Sequence, residues 1–290
     1  MLNFRKAEIG DREKIVALLK KSQCPSLEYN FTTFFLWQEQ FNMEFAISED
    51  VLYVRAGKND KSYLFPCGTG DIEKALDILL SEKVRFHSLT PEQREFLEKK
   101  APERFEFTQP RDDNDYVYLA ECLKTLSGKK LSSKRNHINK FVSENPDWKY
   151  EKITNKNIDE VKEMHRIWCE NCGCDKEKSL DDETIAVKKA LEFFNELNLS
   201  GGLIRTKGRV VAFSIGDELS SDTFLVHIEK AYSEFQGAYQ LINREFVINN
   251  CDGYEYVNRE DDAGDEGLRK AKLSYKPHKI LTKFIAREKA

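Results

Sequence analysis

Short apolar runs alternate along the chain with segments whose apolar residues recur at helical spacing. The runs predict β-strands and the periodic segments predict α-helices. In the first part they predict a strand over 3–9, helices from Asp11 and over 29–41, strands over 44–47, 51–57 and 62–67, a helix over 71–81, a strand over 84–88, a helix over 91–100, and strands over 105–108 and 116–119. The three strands between 44 and 67 are separated by turn residues, so we expect an antiparallel meander.

The second part repeats this succession. The pattern predicts a strand over 148–153, helices over 157–169 and 182–198, strands over 202–206, 209–215 and 223–230, a helix over 237–250, a strand over 254–258, a helix ending at Tyr275, and a strand over 280–286. Lys207 and Gly208 predict a hairpin between the first two strands of the triplet. The repeated order predicts an α+β protein of two related domains, each a mixed, mainly antiparallel sheet flanked by helices.

The two halves are joined by a basic stretch, which sets the expected domain bounds at 1–122 and 147–290 with a connecting helix over 123–146. Within it, residues 127–141 carry five basic residues, and no acidic residue occurs from there until Glu144: Lys129, Lys130, Lys134, Arg135 and Lys140. Apolar positions between them favour an amphipathic helix with a positive outer side. Such a side is either ordinary solvated surface or a contact for the phosphate of RNA, a nucleotide or a lipid head group.

Composition limits the classes of function. The 290 residues carry 46 basic and 50 acidic side chains, a net charge of −4, which excludes a polycation that coats nucleic acid or membranes. No apolar run approaches the ~20 residues of a membrane span, and the N-terminal residues lack the apolar core of a secretion signal. We therefore expect a cytoplasmic protein without integral membrane association.

Seven scattered cysteines indicate a reducing compartment rather than a disulfide framework. Cys169, Cys172 and Cys174 form a cluster, with His165 one helical turn earlier, that invites comparison with a zinc site. A structural zinc site needs four ligands, commonly as two separated pairs, and no second pair follows. We expect cysteines at a helix end and no metal.

Residues 253–277 contain the candidate working site. Glu260, Asp261 and Asp262 crowd beside Arg259 at a strand end, and neighbouring carboxylates disfavour one another's ionisation unless something uses them. The alternative interpretation is a solvated acidic loop with Arg259 as a local ion pair.

The element order resembles that of the GNAT acyltransferase superfamily. The tail resembles the C-terminal domain of bacterial phosphatidylglycerol lysyltransferases through Asp262, Gly264, Gly267-Leu268-Arg269, Lys272, Tyr275 and Pro277. The tandem halves with a basic connecting helix resemble the Fem-type aminoacyltransferases. These resemblances imply transfer of an aminoacyl group from aminoacyl-tRNA, or of an acyl group from coenzyme A, to an amine or hydroxyl of a small molecule or peptide. Lys134, Arg135, Arg259 and Arg269 are then the candidate substrate-binding residues, with tRNA as a candidate partner.

The candidate site for the donor is the turn after the predicted strand 223–230. After the predicted strand 223–230, coenzyme A users carry a glycine-rich turn that opens a helix, and here Gln236, Gly237 and Ala238, with Lys272, are the candidate cofactor-binding residues.

His227 and Glu229 share one face of the predicted strand 223–230. If the predicted strand 254–258 lies next to it, their neighbours are the carboxylates that follow Asn258. Glu229 or Asp261 is the candidate base acting through a water, and His227 and Tyr275 complete the catalytic candidates. Two alternatives stay open: a plain acyl-coenzyme A N-acetyltransferase, and a catalytically silent module that binds a nucleotide, RNA or a protein.

Overall fold

The structure of the protein is a computed structural model that describes residues 2–173 and 178–289. The first part of the chain forms α1 Arg12–Ser22, α2 Phe31–Trp37, β1 Glu44–Ser48, β2 Val51–Ala56, β3 Ser62–Tyr63, β4 Cys67–Gly68, α3 Ile72–Leu80, β5 Arg85–Leu89, α4 Pro91–Lys100, β6 Phe105–Thr108 and β7 Asp115–Leu119. The second part forms α5 Ala120–Thr125, α6 Ser132–Glu144, β8 Lys149–Lys152, α7 Ile158–Cys172, α8 Lys178–Glu192, β9 Ser200–Thr206, β10 Arg209–Glu218, β11 Thr223–Ala231, α9 Ala238–Asn250, β12 Tyr256–Asn258, α10 Glu266–Ser274, β13 Lys279–Leu281 and β14 Phe284–Glu288. The predicted α+β class is confirmed.

The described residues divide into two compact units that are not contiguous in sequence. The first comprises the chain up to Asp115 together with Asp261–Glu266 and the residues from Ile280 onward. The second comprises Tyr116–Glu260 and Gly267–Lys279. These bounds differ from the contiguous domains expected at 1–122, 123–146 and 147–290, because the chain returns to the first unit twice near its end.

In the first unit the sheet has the spatial order β1-β2-β3-β5-β14-β6, with β4 also paired to β2. The last strand of the chain, β14, lies between β5 and β6 and is antiparallel to both. Its Ala286 is fully buried in a core with Leu76, Phe86, Leu89 and Leu97. The sequence-predicted strand over 280–286 is therefore split, and its second piece completes the sheet of the first unit.

A buried ion cluster fixes the start of that returning strand. Lys283 is 1% exposed, and its ammonium donates to Glu28 at 2.8 Å and lies 2.6 Å from Asp115. Glu28 also accepts a hydrogen bond from Ser88 at 2.8 Å. Burial alone would lower the pKa of Lys283. The carboxylates of Asp115 and Glu28 raise it by a larger amount, so the pKa lies above its ordinary value and the ammonium stays charged.

The sheet of the second unit contains β7, β12, β11, β10, β9 and β8 in that spatial order. All these pairs are antiparallel except β11 with β12. Between β9 and β10, Lys207 and Gly208 both have positive φ, which confirms the predicted two-residue hairpin. Strand β7 was expected to close the first domain, but residues Val117–Leu119 pair with β12 of the second unit instead.

Two predicted elements are shorter than the pattern suggested. The predicted strand 3–9 reduces to a single bridge between Arg5 and Phe45, because Arg5 and the backbone of Glu8 both bind the Asp11 carboxylate that precedes α1. The predicted helix 29–41 becomes α2, which begins after the side chain of Asn30 caps the amide of Thr33 at 3.0 Å.

Candidate functional site

The second unit contains a place where two parallel strands part. β11 and β12 pair from Thr223 with Tyr256 to Leu225 with Asn258, where β12 ends. β11 continues to Ala231 and stays paired with β10, but on its other edge the residues after Leu225 face the chain that follows β12. The adjacency of these two strands, on which the predicted site depended, is therefore present.

Glu229 is the centre of a buried polar cluster at this parting. Its Oε1 accepts a hydrogen bond from Arg259 Nη2 at 2.9 Å, and its Oε2 accepts one from Asn243 Nδ2 at 2.9 Å. The side chains of Arg259 and Glu229 are only 11% and 13% exposed. One polar atom of each partner of Glu229, Arg259 Nη1 and Asn243 Oδ1, is buried without a hydrogen-bond partner among the described residues.

Two tyrosine rings and a lysine enclose the guanidinium of Arg259. The rings of Tyr118 and Tyr275 meet edge to face with centroids 6.5 Å apart, and Arg259 Cζ lies 4.8 Å from the Tyr275 centroid. Lys134, from the first turn of α6, places its Nζ 4.3 Å from the same centroid. These contacts bring together five parts of the second unit: β7, β11, α6, and the segments that follow β12 and α10.

Burial controls the protonation of these groups. Desolvation raises the pKa of Tyr275 well above its usual value, so its hydroxyl keeps its proton at neutral pH. Desolvation, followed by the charge of Arg259, lowers the pKa of Lys134, while Glu229 opposes this shift. The cluster thus contains a firmly protonated phenol beside a lysine whose charged form is disfavoured.

His227, two residues before Glu229, has a different environment. Its Nδ1 lies 2.9 Å from Glu260 Oε1 and its Nε2 lies 3.0 Å from Asp217 Oδ1. Burial alone lowers its pKa, but the two carboxylates outweigh burial and raise the pKa to about 10. At neutral pH His227 is an imidazolium between two carboxylates, which does not suit it to the role of a general base.

The acidic loop is arranged differently from the expectation that its carboxylates crowd Arg259. Arg259 pairs with Glu229, and Glu260 pairs with His227. Asp262 is fully buried in the first unit, 3.5 Å from Arg111. Asp261 also belongs to the first unit, where its Oδ1 accepts a hydrogen bond from the amide of Ala263 at 3.0 Å.

The candidate cofactor turn before α9 is covered by α6. Lys140 Nζ donates to Gln236 Oε1 at 2.5 Å, and an atom added at the Cβ position of Gly237 would lie 2.2 Å from the carbonyl oxygen of His137. Ala238 is fully buried, and its amide donates to Phe235 at 3.0 Å. These contacts occupy part of the surface that a pyrophosphate cradle would need.

The remaining predicted residues serve several local roles. Lys272 Nζ donates to the carbonyl of Arg259 at 2.6 Å, which holds the segment after β12 in place. Arg135 donates to the carbonyls of Leu126 and Gly128 and so closes the loop before α6. Arg269 lies half-buried on α10. The structure thus groups Lys134, Glu229, Arg259, Lys272 and Tyr275, and places Arg135 away from this group.

Sequence reasoning missed Asn243 and Tyr118. Asn243 is 1% exposed on the inward face of α9, where its neighbours at helical spacing, Phe246 and Val247, are apolar. A lone amide on an apolar face was the available signal, since buried polar groups require partners. Tyr118 gave no comparable signal, because it belongs to a strand predicted in another domain.

The cysteine cluster forms a small contact network. Cys169 Sγ lies 3.6 Å from His165 Nε2 and 3.1 Å from Thr184 Oγ1, and burial lowers the pKa of His165 to about 4. Cys174 lies outside the described residues. Over 2–173 and 178–289, no group of three His, Cys, Asp or Glu side chains is placed to hold a metal ion. Within these same ranges no helix combines the length and the apolar character that crossing a membrane requires.

The chain is similar to known proteins over most of its length. The family described as "Phosphatidylglycerol lysyltransferase, C-terminal" matches residues 19–287. A crystal structure of a conserved protein of unknown function from Bacteroides thetaiotaomicron is 37% identical, with a TM-score of 0.94 and full coverage of both chains. A curated relative, an uncharacterised protein of Mycoplasmoides gallisepticum, is 24% identical over 178 residues, which span 60% of this chain and 56% of the relative.

More distant structures share the fold. The C-terminal domain of an Agrobacterium fabrum protein described as a lysylphosphatidylglycerol synthetase is 12% identical, with a TM-score of 0.67 over 97% of this chain and 92% of the other. FemX is 7% identical, with a TM-score of 0.53 over 98% of this chain and 97% of its own. The expected resemblance of the tail to phosphatidylglycerol lysyltransferase C-terminal domains is confirmed, and FemX shares the fold.

Proposed function

The chain belongs to the family of phosphatidylglycerol lysyltransferase C-terminal domains, and from this membership we propose that it is a transferase. It moves an aminoacyl group, or more broadly an acyl group, to an amine- or hydroxyl-bearing acceptor. The observation that carries the proposal is the buried cluster of Glu229, Arg259 and Asn243 at the parting of β11 and β12. Buried ionisable groups with unpaired polar atoms are a feature of functional sites, because structure alone rarely retains them.

Acyl transfer has three chemical requirements that the cluster can meet. The acceptor must lose a proton, the donor carbonyl must be polarised, and the leaving group must gain a proton. Glu229 takes the acceptor's proton through a water, and Arg259 Nη1 donates to the carbonyl oxygen. The leaving group gains its proton from water in the site, since the phenol of Tyr275 is firmly protonated.

The reaction balances without an oxidant or a metal. The acceptor's nitrogen or oxygen forms a bond to the donor's carbonyl carbon while the bond from that carbon to the leaving oxygen or sulfur breaks. The proton lost by the acceptor reaches the leaving group through the solvent and the side chains of the site. His227 and Asp261, although predicted as catalytic, have no step in this scheme.

We propose aminoacyl-tRNA as the donor in preference to acyl-coenzyme A. The covered turn at Gly237 supports this choice, because its contacts with α6 compete with a bound pyrophosphate. Exposed Lys129 and Lys130, directly before α6, supply positive charge for an RNA backbone on a protein of net charge −4. A small molecule or peptide carrying an amine or hydroxyl remains the acceptor class.

The test follows labelled groups from two donors in parallel. The protein is incubated with tRNA charged with a mixture of labelled amino acids, or with labelled acetyl-coenzyme A, and with a cell extract separated into lipid, peptide and small-molecule fractions. We expect label to leave tRNA for one fraction, and Glu229→Gln to lower the rate about 100-fold or more. Glu234→Gln is the matched control, since Glu234 is exposed and pairs only with Arg209.

Each alternative has its own outcome in this experiment. Label that moves only from acetyl-coenzyme A identifies the plain N-acetyltransferase. Thermal stabilisation by tRNA at low salt, without movement of either label, identifies a silent binding module. Equal rates of transfer for Glu229→Gln and Glu234→Gln would show that Glu229 takes no part in the reaction.

A further inference from the structure

Three hydrogen-bond donors lie around one tyrosine ring in the second unit, and no described residue accepts from any of them. Arg259 Nη1 is buried without a partner. Lys134 is 9% exposed, and its Nζ contacts the Tyr275 ring rather than a carboxylate or a carbonyl. The third donor is the hydroxyl of Tyr275, whose described contacts are to its ring and backbone.

The balance of charge around Lys134 points in the same direction. The charges that act on its ammonium are those of Arg259 and Glu229, which are paired with each other at 2.9 Å. The charge of Lys134 is therefore additional to this ion pair and belongs to a mostly buried side chain, where a bound anion would stabilise it. The neighbouring ionic group on β11 is centred on His227. It forms one ion pair with Asp217 and one with Glu260.

Donors outnumber acceptors at this place. Only one buried acceptor, Asn243 Oδ1, lacks a partner within the described part of the cluster. A ligand that satisfies the group must accept several hydrogen bonds and carry negative charge, which is the chemistry of an oxyanion.

We propose that Lys134, Arg259 Nη1 and the Tyr275 hydroxyl together bind an oxyanion, a phosphate or a carboxylate, of a substrate. The inference rests on the proposed function in assigning this cluster as the transfer site, and it adds the class of group that the site binds. Lys134 is the specificity-determining residue, since Arg259 is already neutralised by Glu229. Phosphate and carboxylate share this chemistry, and the test distinguishes their sources.

The test measures binding of small oxyanions to the intact protein by calorimetric titration at constant ionic strength. The ligands are inorganic phosphate, glycerol 3-phosphate, adenosine monophosphate and acetate, with chloride as the reference. We expect saturable binding of at least one of the first four, and Lys134→Met to weaken it about 10- to 100-fold. Lys156→Met is the matched control, because it removes the same charge from an exposed position of the second unit, in the turn before α7.

A second readout shows that Lys134→Met still folds. Removing an uncompensated buried charge stabilises the unliganded protein, so we expect its melting temperature to rise by about 2–4 °C while oxyanion binding is lost. Preference for glycerol 3-phosphate indicates a lipid head group, for adenosine monophosphate a nucleotide end, and for acetate a carboxylate.

The inference is wrong if the wild type binds none of the four ligands, or if Lys134→Met and Lys156→Met bind them equally. Transfer of label without oxyanion binding would overturn this inference and leave the proposed function standing. Oxyanion binding without transfer of label from any donor would do the reverse.

Discussion

His227 and Glu229 lie on the same face of one strand, and their neighbours give them opposite tasks. Glu229 accepts hydrogen bonds from Arg259 and from Asn243. Each of these two side chains has one further polar atom, Arg259 Nη1 or Asn243 Oδ1, that a ligand can contact. His227 has a carboxylate at each ring nitrogen, and its hydrogen-bonding capacity is used. The side-chain alternation of a strand predicted that the two residues share a face, but the difference between them arises from Asp217 and Glu260.

The state of His227 predicts a pH dependence of stability. Its pKa is raised in the folded protein to about 10 from an ordinary value of 6.5, so its contribution is fully present below pH 6.5 and is lost as pH rises toward 10. In this window the free energy of unfolding should fall by about 1.4 kcal/mol per pH unit from this group. Urea unfolding at a series of pH values measures the slope.

His227→Gln should flatten that slope, whatever its effect on stability at neutral pH. His278→Gln, at an exposed position, is the control and should leave the slope unchanged. If His227→Gln and the wild type lose stability in parallel between pH 6.5 and 9.5, the imidazolium assignment is wrong.

At the scale of the element, the contact between α6 and the turn before α9 depends on Gly237. Its φ of 94° lies in the region that favours glycine, and a Cβ there would lie 2.2 Å from the His137 carbonyl oxygen. The turn therefore combines a conformational requirement with a steric one. Both arise in the segment where sequence reasoning expected a cofactor turn.

Gly237→Ala should destabilise the protein by about 2–4 kcal/mol, since it adds backbone strain to a collision with backbone. Gly253→Ala separates the two effects, because Gly253 has φ 86° but nothing within 4 Å of its Cβ position. We expect about 1 kcal/mol for this control. Equal losses in urea unfolding would mean that the packing of α6 on the turn contributes nothing.

The pattern predicted most elements but not their partners. Helix Pro91–Lys100 and strand Phe105–Thr108 were predicted with the bounds that the structure has. Strands β7 and β14 were predicted near their places in the chain, yet each joins the sheet that its position did not suggest. Side-chain period reports which face is buried and carries no information about which strand lies alongside.

The candidate site was predictable only in part for the same reason. Glu229 and Arg259 lie in segments that the sequence analysis took as neighbours, and β11 and β12 do pair. Asn243 and Tyr118 depend on the packing of α9 and on the unexpected place of β7. A polar residue on an apolar helix face is a usable signal, whereas a strand's neighbour at long range is not.

At the scale of the whole molecule, the ion pairs of Lys283 help to hold the returning strand β14 in the first unit. Lys283→Met would leave Glu28 and Asp115 buried without their cation, and we expect a loss of about 3–5 kcal/mol in the free energy of unfolding. Urea unfolding measures it. Lys289→Met, in the same segment but exposed, is the matched control. Similar stabilities for the two variants would show that the ion cluster does not hold β14.

The return of the chain to its first unit has a consequence during synthesis. β5 and β6 are synthesised well before β14, which lies between them in the sheet. At ~5–20 residues per second the unfinished sheet waits roughly 10–35 s with two strand edges open. Open edges template pairing with other chains, so we expect the first unit to be prone to association until β14 has been made. The sequence of the second unit, which extends to Lys279, is complete before β14 is made.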